Sequence, residues 1–317
     1  MDYNIKVKIC IIGGGWVGCH LTKVFRDKHQ VNLFESRDLF SKISLQNQNR
    51  LHLGYHYCRS SHTRELCKNT FNKFLTEYNF LTDNIQDNLY AIPFNESLLD
   101  YNTYIKIFEN FSTHTKKEIN FLKNIEGVIN TDEKFINPVK AKKYFSEILS
   151  DNLVIKKVTL DNIIEFKKKY DLVINCTNNC LDPIVDENIY SEICHTLLYK
   201  KKKDIPFDAL TLVDGKLFSI YPYDNDKLFS LTDVEITPQN NFTVDEKREL
   251  MEKKVLYYYE EFLNNFDYHS FYMGKKNKYL NKSDNRIPII NKQDNYIRTF
   301  TGKIQGIYFI QDYLEKL

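Results

Sequence analysis

The sequence predicts an α/β protein in which a Rossmann-type βαβ nucleotide domain carries an inserted antiparallel α+β domain. Three observations predict it. An apolar run of buried-strand length, Val7-Lys-Ile-Cys-Ile-Ile12, stops abruptly at Gly13-Gly14-Gly15. Val17, Leu21, Val24 and Phe25 then recur at helical spacing, and Val31-Asn-Leu-Phe-Glu35 reads as a second strand. Far along the chain, residues 210–236 break into strand-like runs punctuated by Asp214-Gly215 and Asp224-Asn225-Asp226, the pattern of an antiparallel meander.

The remaining elements follow in order. Over residues 64–81, Leu66, Phe71, Phe74, Leu75 and Tyr78 share one face of an amphipathic helix. Two more strands are expected at Leu153–Val158 and Asp171–Asn175, joined through a lysine-rich stretch. Thr243 with Glu246 resembles a capping box opening a helix that runs to about Phe266, and a last helix starts near Ile304. Neither a fixed repeat nor a Pro/Gly/Ser-rich linker divides the chain, so the domains interleave. The reading assigns 1–80, 140–195 and 284–317 to the nucleotide domain and 81–139 with 196–283 to the substrate domain. Lys200–Lys203 beside Asp204 reads as a solvated loop.

Bulk properties narrow the function classes. A chain of 317 residues buries a core without staples. Its seven cysteines are an odd number with no CxxC pair, which suits free thiols in a reducing compartment and argues against a disulfide framework or a structural zinc site. With no such cysteine pair no metal is expected, and Lys and Arg number 44 against 42 Asp and Glu, interspersed, so no nucleic-acid partner is expected either. The opening Met1-Asp2-Tyr3-Asn4 lacks a basic n-region, and the first apolar run is too short to span a bilayer. The expectation is a cytoplasmic protein without a membrane span, in which the Asn241-Phe-Thr243 sequon is a chance match.

The glycine turn is the first chemical signal. Gly13-x-Gly15-x-x-Gly18 falls between a strand and a helix, with Glu35 at the end of the next strand, about 20 residues on. Gly13 permits the tight turn, Gly15 lets the backbone approach a pyrophosphate, and Gly18 lets helix and strand pack closely. The helix N-terminus offers unpaired N–H groups and partial positive charge to phosphates, while Glu35 would accept from ribose hydroxyls. NAD and FAD both use this apparatus.

A second segment chooses between them. Ser44-Leu-Gln-Asn47-Gln48-Asn49-Arg50-Leu51-His52-Leu-Gly54-Tyr-His56-Tyr57 is polar, glycine-interrupted and rich in groups able to contact an aromatic ring system. Here the chain resembles the D-amino-acid oxidase superfamily, and within it the branch of 2-hydroxyglutarate oxidases, through Asn47 or Asn49, His52-x-Gly54-x-x-Tyr57, Ser60 or Ser61, and Leu66-Cys67. Asp171-Leu-Val-Ile-Asn-Cys176-Thr177-Asn178 resembles the superfamily's second nucleotide-contacting strand, with Asn178 where glycine is usual; Asn tolerates the left-handed backbone that such a turn needs. Phe300-Thr-Gly302-Lys303-Ile304 resembles its closing Ser-Gly-Lys before the last helix.

The resemblance implies an FAD-dependent oxidoreductase. Cofactor contacts are then expected at Gly13, Gly15, Trp16, Val17, Gly18, Glu35, Ser36, Arg37, Asn49, Arg50, Leu51, His52, Val158, Cys176, Thr177, Asn178, Gly302, Lys303 and Ile304. It implies oxidation of a small amine, amino acid or 2-hydroxy acid by hydride transfer to flavin N5, with an anionic substrate. His52 is the candidate base, and Arg286 the candidate carboxylate clamp, an ion pair with Asp284 or Asp294 being the alternative. Tyr221, beside Pro222 in the meander, is a candidate pocket residue. A flavin enzyme acting on a nucleotide-linked sugar, an NAD-dependent dehydrogenase and a non-enzymatic nucleotide-binding protein stay open on sequence grounds.

Overall fold

The computed structural model describes residues 6–111, 114–184, 189–224, 227–279 and 284–317. Met1–Asn4, and Asn225 with Asp226 of the expected meander turn, lie outside them.

The apolar run becomes the strand Lys8–Ile12, buried at its last four residues, and pairs in parallel with Gln30–Glu35 on one side and Leu172–Asn175 on the other. The six-stranded sheet runs Ile289–Gln293, Tyr296–Phe300, Leu172–Asn175, Lys8–Ile12, Gln30–Glu35, Leu153–Ile155, and only the first of these is antiparallel to its neighbour. Both faces are covered, as a parallel sheet requires. Ile9 and Ile11 face the helix Trp16–Phe25 and the C-terminal helix Ile307–Leu314, whereas Cys10, Ile12, Phe34 and Val173 pack on Phe166 and Tyr170 at the end of the helix Ile163–Lys169. This period-two division sorts an unbroken apolar run into two cores.

The second sheet has eight strands in the order Phe266–Tyr279, Ile189–Lys201, Leu228–Asp233, Phe218–Asp224, Ala209–Leu212, Asn88–Pro93, Ile125–Thr131, His114–Lys117. The meander is present, but Ala209–Leu212 runs parallel to Asn88–Pro93, so the sheet is mixed. One face is closed by the helix Val244–Tyr258, whose Met251, Val255 and Tyr258 bury against Leu210, Phe218 and Leu231. Its capping box forms as expected between Thr243 and Glu246, yet the helix stops at Tyr258. Buried Tyr259 turns against Phe207, and after the short helix Phe262–Asn265 the strand Phe266–Tyr279 begins where the helix was expected to end. That strand pairs with Ile189–Lys201, so Lys200 and Lys201 belong to a strand rather than to a loop. Ile189–Lys201 also crosses the boundary expected at 195/196; every strand of the six-stranded sheet comes from the three segments assigned to the nucleotide domain.

A third, three-stranded sheet joins Arg50–Leu51, Lys134–Ile136 and Thr82–Asp83. It carries the segment on which the site is built. The amphipathic helix spans Ser61–Tyr78, its first turn capped by Ser60. No helix among the described residues is long and apolar enough to cross a membrane.

Candidate active site

The glycine turn forms with the geometry its residues demand. Gly13 has φ +107°, and a Cβ there would lie 2.9 Å from the Cys176 carbonyl oxygen. A Cβ on Gly18 would lie 1.9 Å from the Gly13 carbonyl oxygen, so helix and turn touch only because position 18 has no side chain. Within the helix the first amide to find a partner is that of Cys19, bonded to Gly15 O at 3.0 Å; the amides of residues 15–18 have no intrahelical acceptor. Trp16 N is held only weakly by Ser44 Oγ at 3.4 Å, and no acidic side chain occupies the first turn. The Trp16 ring turns away into an aromatic cluster with Phe40, Phe74 and Phe145.

A cavity of about 390 Å³ opens from this turn. Gly15, Trp16 and Val17 line one end, and Gly302, Lys303 and Ile304 reach it from the C-terminal segment. Asn49, Arg50, His52, Cys176, Asn178 and Arg286 line it as well. Asn178 takes φ +54°, the left-handed conformation expected of a residue standing where glycine is usual. Thr177 is held beside it through Asn175, whose Oδ1 accepts from its amide at 3.0 Å and its hydroxyl at 2.7 Å.

Other expected contacts lie off this cavity. Glu35 accepts the amide of Gly14 at 2.7 Å through one carboxylate oxygen, and the amides of Ser36 and Arg37 through the other, closing the turn behind the glycines. Val158 falls three residues past its strand, with its side chain in the core beside Phe34 and Phe166. Leu51 is fully buried in the strand Arg50–Leu51. Tyr221 does not line the cavity. Its ring is fully buried, and the Arg50 guanidinium lies 4.2 Å over its centroid, between the ring and the open space.

Charge around the cavity is unevenly matched. Arg59 pairs with Asp214, Lys278 with Glu192, Asp233 with Lys254, and Arg286 with Asp284, so the Arg286 fork is engaged by a neighbour. Arg50, Lys276 and Lys303 have no carboxylate partner among the described residues. Arg50 is 8% exposed and donates instead to neutral groups, Thr211 Oγ1 at 2.8 Å and Gln48 Oε1 at 2.7 Å. Burial lowers the Lys276 ammonium and, with the Arg50 charge added, brings Lys303 down to about 7.

Two residues absent from the sequence reading support the site. Glu133, fully buried, reaches His52, and Gln305, 1% exposed, brackets the His52 backbone by accepting its amide at 3.2 Å and donating to its carbonyl at 2.8 Å. The Gln305 position, two residues after Lys303, was the available signal; the charged stretch Asp132-Glu133-Lys134 offered none.

No family model matches the chain. An FAD-dependent monooxygenase of Fusarium mangiferae, FPY4, is 31% identical over 330 residues, covering 95% of this chain and 88% of that protein. The chain belongs to the family of FAD-dependent oxidoreductases. The FAD-dependent monooxygenase kojA of Aspergillus flavus is 25% identical over 362 residues, covering 97% of this chain and 84% of its own. Among solved structures, glycine oxidase from Geobacillus kaustophilus matches with a TM-score of 0.72 at 10% identity, covering 98% of this chain and 95% of that one. L-α-glycerophosphate oxidase from Mycoplasma pneumoniae, solved with FAD bound, matches with a TM-score of 0.69 at 14% identity, covering 98% and 94%. These two share the fold of the D-amino-acid oxidase and glycine oxidase type. The uncapped helix N-terminus at a turn where side chains are excluded, opening onto a cation-lined cavity, fits the flavin dinucleotide of such an oxidoreductase.

Proposed function

We propose that this FAD-dependent oxidoreductase oxidises a small anionic amine, amino acid or 2-hydroxy acid. FAD, when bound, would supply the two-electron acceptor, N5 of its ring, for a hydride leaving the substrate carbon. Gly13, Gly15, Gly18 and the helix N-terminus would hold its diphosphate, Glu35 its ribose, and Thr177, Asn178 and Gly302–Ile304 its remaining length. The observation that carries the anionic character of the substrate is the pair of cavity cations, Arg50 and Lys276, left without a carboxylate partner among the described residues. Burying uncompensated charge is costly, and an anionic ligand would relieve it. Arg50 is the anchor we assign to that anion, in preference to Arg286, because its guanidinium is fixed by Tyr221, Thr211 and Gln48 without being neutralised. The seven free cysteines support a reducing, cytoplasmic location.

Anaerobic mixing of the FAD-loaded protein with matched pairs tests the reading: lactate against lactamide, glycine against glycinamide, 2-hydroxyglutarate against its diamide. Bleaching of the oxidised flavin band by an acid, and not by its amide, is expected. A flavin that no acid bleaches but NAD(P)H does would replace this reading with a monooxygenase cycle, in keeping with the names of the fungal relatives.

A further inference from the structure

His52 follows the strand Arg50–Leu51, is 4% exposed, and faces groups of opposite character through its two ring nitrogens. Nδ1 lies 3.4 Å from Glu133 Oε2, and Nε2 lies 3.4 Å from Lys303 Nζ. Glu133 accepts the amides of Leu53 at 2.7 Å and Gly54 at 3.1 Å, and the Tyr90 hydroxyl at 2.6 Å. Burial alone would raise this carboxyl, but His52, Tyr90 and the Leu53 amide together hold it below the usual carboxylate range. An ionised Glu133 places the proton of a neutral His52 on Nδ1 and leaves Nε2 as an acceptor. Burial above all keeps the imidazole neutral, lowering it to about 4.

Lys303 meets this acceptor from the other side. Its Nζ sits 4.6 Å over the Tyr57 ring, and the other titratable groups around it are His52, His56 and Arg50. No carboxylate among the described residues touches it directly, and burial with Arg50 nearby favours the amine over the ammonium near neutral pH. An amine donating one N–H to His52 Nε2 keeps its lone pair, and Lys303 lines the cavity between Gly302 and Ile304. His52 presents Nε2 to Lys303 rather than to the open cavity, while Nδ1 lies 3.4 Å from Glu133 Oε2 without completing a hydrogen bond.

We propose that Lys303 Nζ is the atom that accepts the hydroxyl or ammonium proton of the substrate, with His52 and Glu133 as positioning residues that hold the amine and share its charge. The inference rests on the substrate class proposed above. The O–H or N–H bond breaks with its electron pair left on the substrate, and the new N–H bond forms on Nζ. The ammonium that results donates an N–H to Nε2 of His52, and its charge is offset, one ring further, by the Glu133 carboxylate.

Two measurements on the full-length, FAD-loaded protein test it. The first is brief acetylation with acetic anhydride across pH 5–11, followed by digestion and mass spectrometry, with exposed Lys116 as internal reference. The Lys303 reactivity midpoint is expected near 7, well below that of the exposed reference, and in Glu133→Gln about one pH unit lower than in wild type. The second is anaerobic flavin reduction by a saturating substrate. Lys303→Met should retain FAD but slow reduction on the order of 10² to 10⁴-fold and lose the limb near pH 7, and Lys303→Arg should restore nothing, since a guanidinium takes up no proton. A Lys303 midpoint matching the reference, a Lys303 that acetic anhydride never reaches, or wild-type reduction by Lys303→Met overturns the proposal. Failure of every acid to reduce the flavin overturns the substrate class instead, and with it the source of the proton, whatever the midpoint of Lys303.

Discussion

Replacing Arg50 by Met separates the needs of the fold from those of the ligand. In the protein the guanidinium makes two hydrogen bonds to neutral oxygens, at 2.8 and 2.7 Å, and one cation–π contact at 4.2 Å. Charged hydrogen bonds contribute about 1.5 to 3 kcal/mol each and the ring contact about 1 to 2, giving roughly 4 to 8 kcal/mol of favourable interaction. Against this stands the cost of keeping an ion 8% exposed without a carboxylate, several kcal/mol by itself. The two sides nearly cancel. Met fills similar volume, and Gln48 Oε1 still accepts from Ser219 Oγ at 3.3 Å, so Arg50→Met should leave the melting temperature within a few degrees of wild type or raise it. Ligand binding should respond very differently, because losing a charged partner in a desolvated site costs about 2 to 5 kcal/mol, or roughly 30- to 5,000-fold in Kd. Titrating flavin absorbance with benzoate and benzamide in wild type, Arg50→Met and Arg286→Met reads this directly. The acid should weaken far more in Arg50→Met than in Arg286→Met, with the amide unchanged in both. A carboxylate preference that survives in Arg50→Met, or a fall of more than about ten degrees in its melting temperature, would refute the reasoning.

Gly18→Ala would bring a Cβ to 1.9 Å from a backbone oxygen that cannot move alone, so the turn must open, at about 3 kcal/mol of stability and with loss of FAD. Gly15→Ala meets only the Ser44 hydroxyl, at 2.7 Å, and should weaken FAD binding with little effect on the denaturation midpoint; equal behaviour of the two variants would show the turn to be misread. Acid should destabilise the protein through buried histidines. His20, bonded to the Tyr78 hydroxyl at 2.8 Å and Gln311 at 2.9 Å, is lowered by burial to about 4, as is His52. Between pH 6.5 and 4 the unfolded chain therefore binds more protons than the folded one. Stability falls as pH drops through that window, by on the order of 3 kcal/mol per histidine, and is flat above it. A melting temperature unchanged from pH 7 to 4.5 would contradict this.

What the sequence made legible was local. The roles of Gly13 and Gly18 follow from backbone sterics within one turn, and the left-handed Asn178 from the nature of its own side chain. Residues whose roles depend on distant pairing were opaque. Glu133 carries no local signal of burial; it sits beside Lys134–Ile136, which pairs with Arg50–Leu51 some 80 positions earlier. The strand Phe266–Tyr279 was hidden by Lys275, Lys276 and Lys278, charges suited to a strand at the edge of its sheet. Whether Arg286 clamps a ligand or pairs with Asp284 stayed open in the sequence, because only the fold shows its fork meeting Asp284 while Arg50 meets neutral groups.

The place of Tyr296–Phe300 in the six-stranded sheet sets the timing of assembly. This strand lies inside the sheet, pairing with Leu172–Asn175 on one side and Ile289–Gln293 on the other. A nascent chain that has emerged as far as residue 290 still presents an open parallel edge at Leu172–Asn175 and a cavity without Lys303. Docking of the last segment closes both at once, over a separation of more than a hundred residues, a slow step by the entropy of loop closure. The strand that completes the sheet and the lysine that lines the cavity therefore arrive on one segment, so the edge at Leu172–Asn175 and the cavity are closed by the same docking.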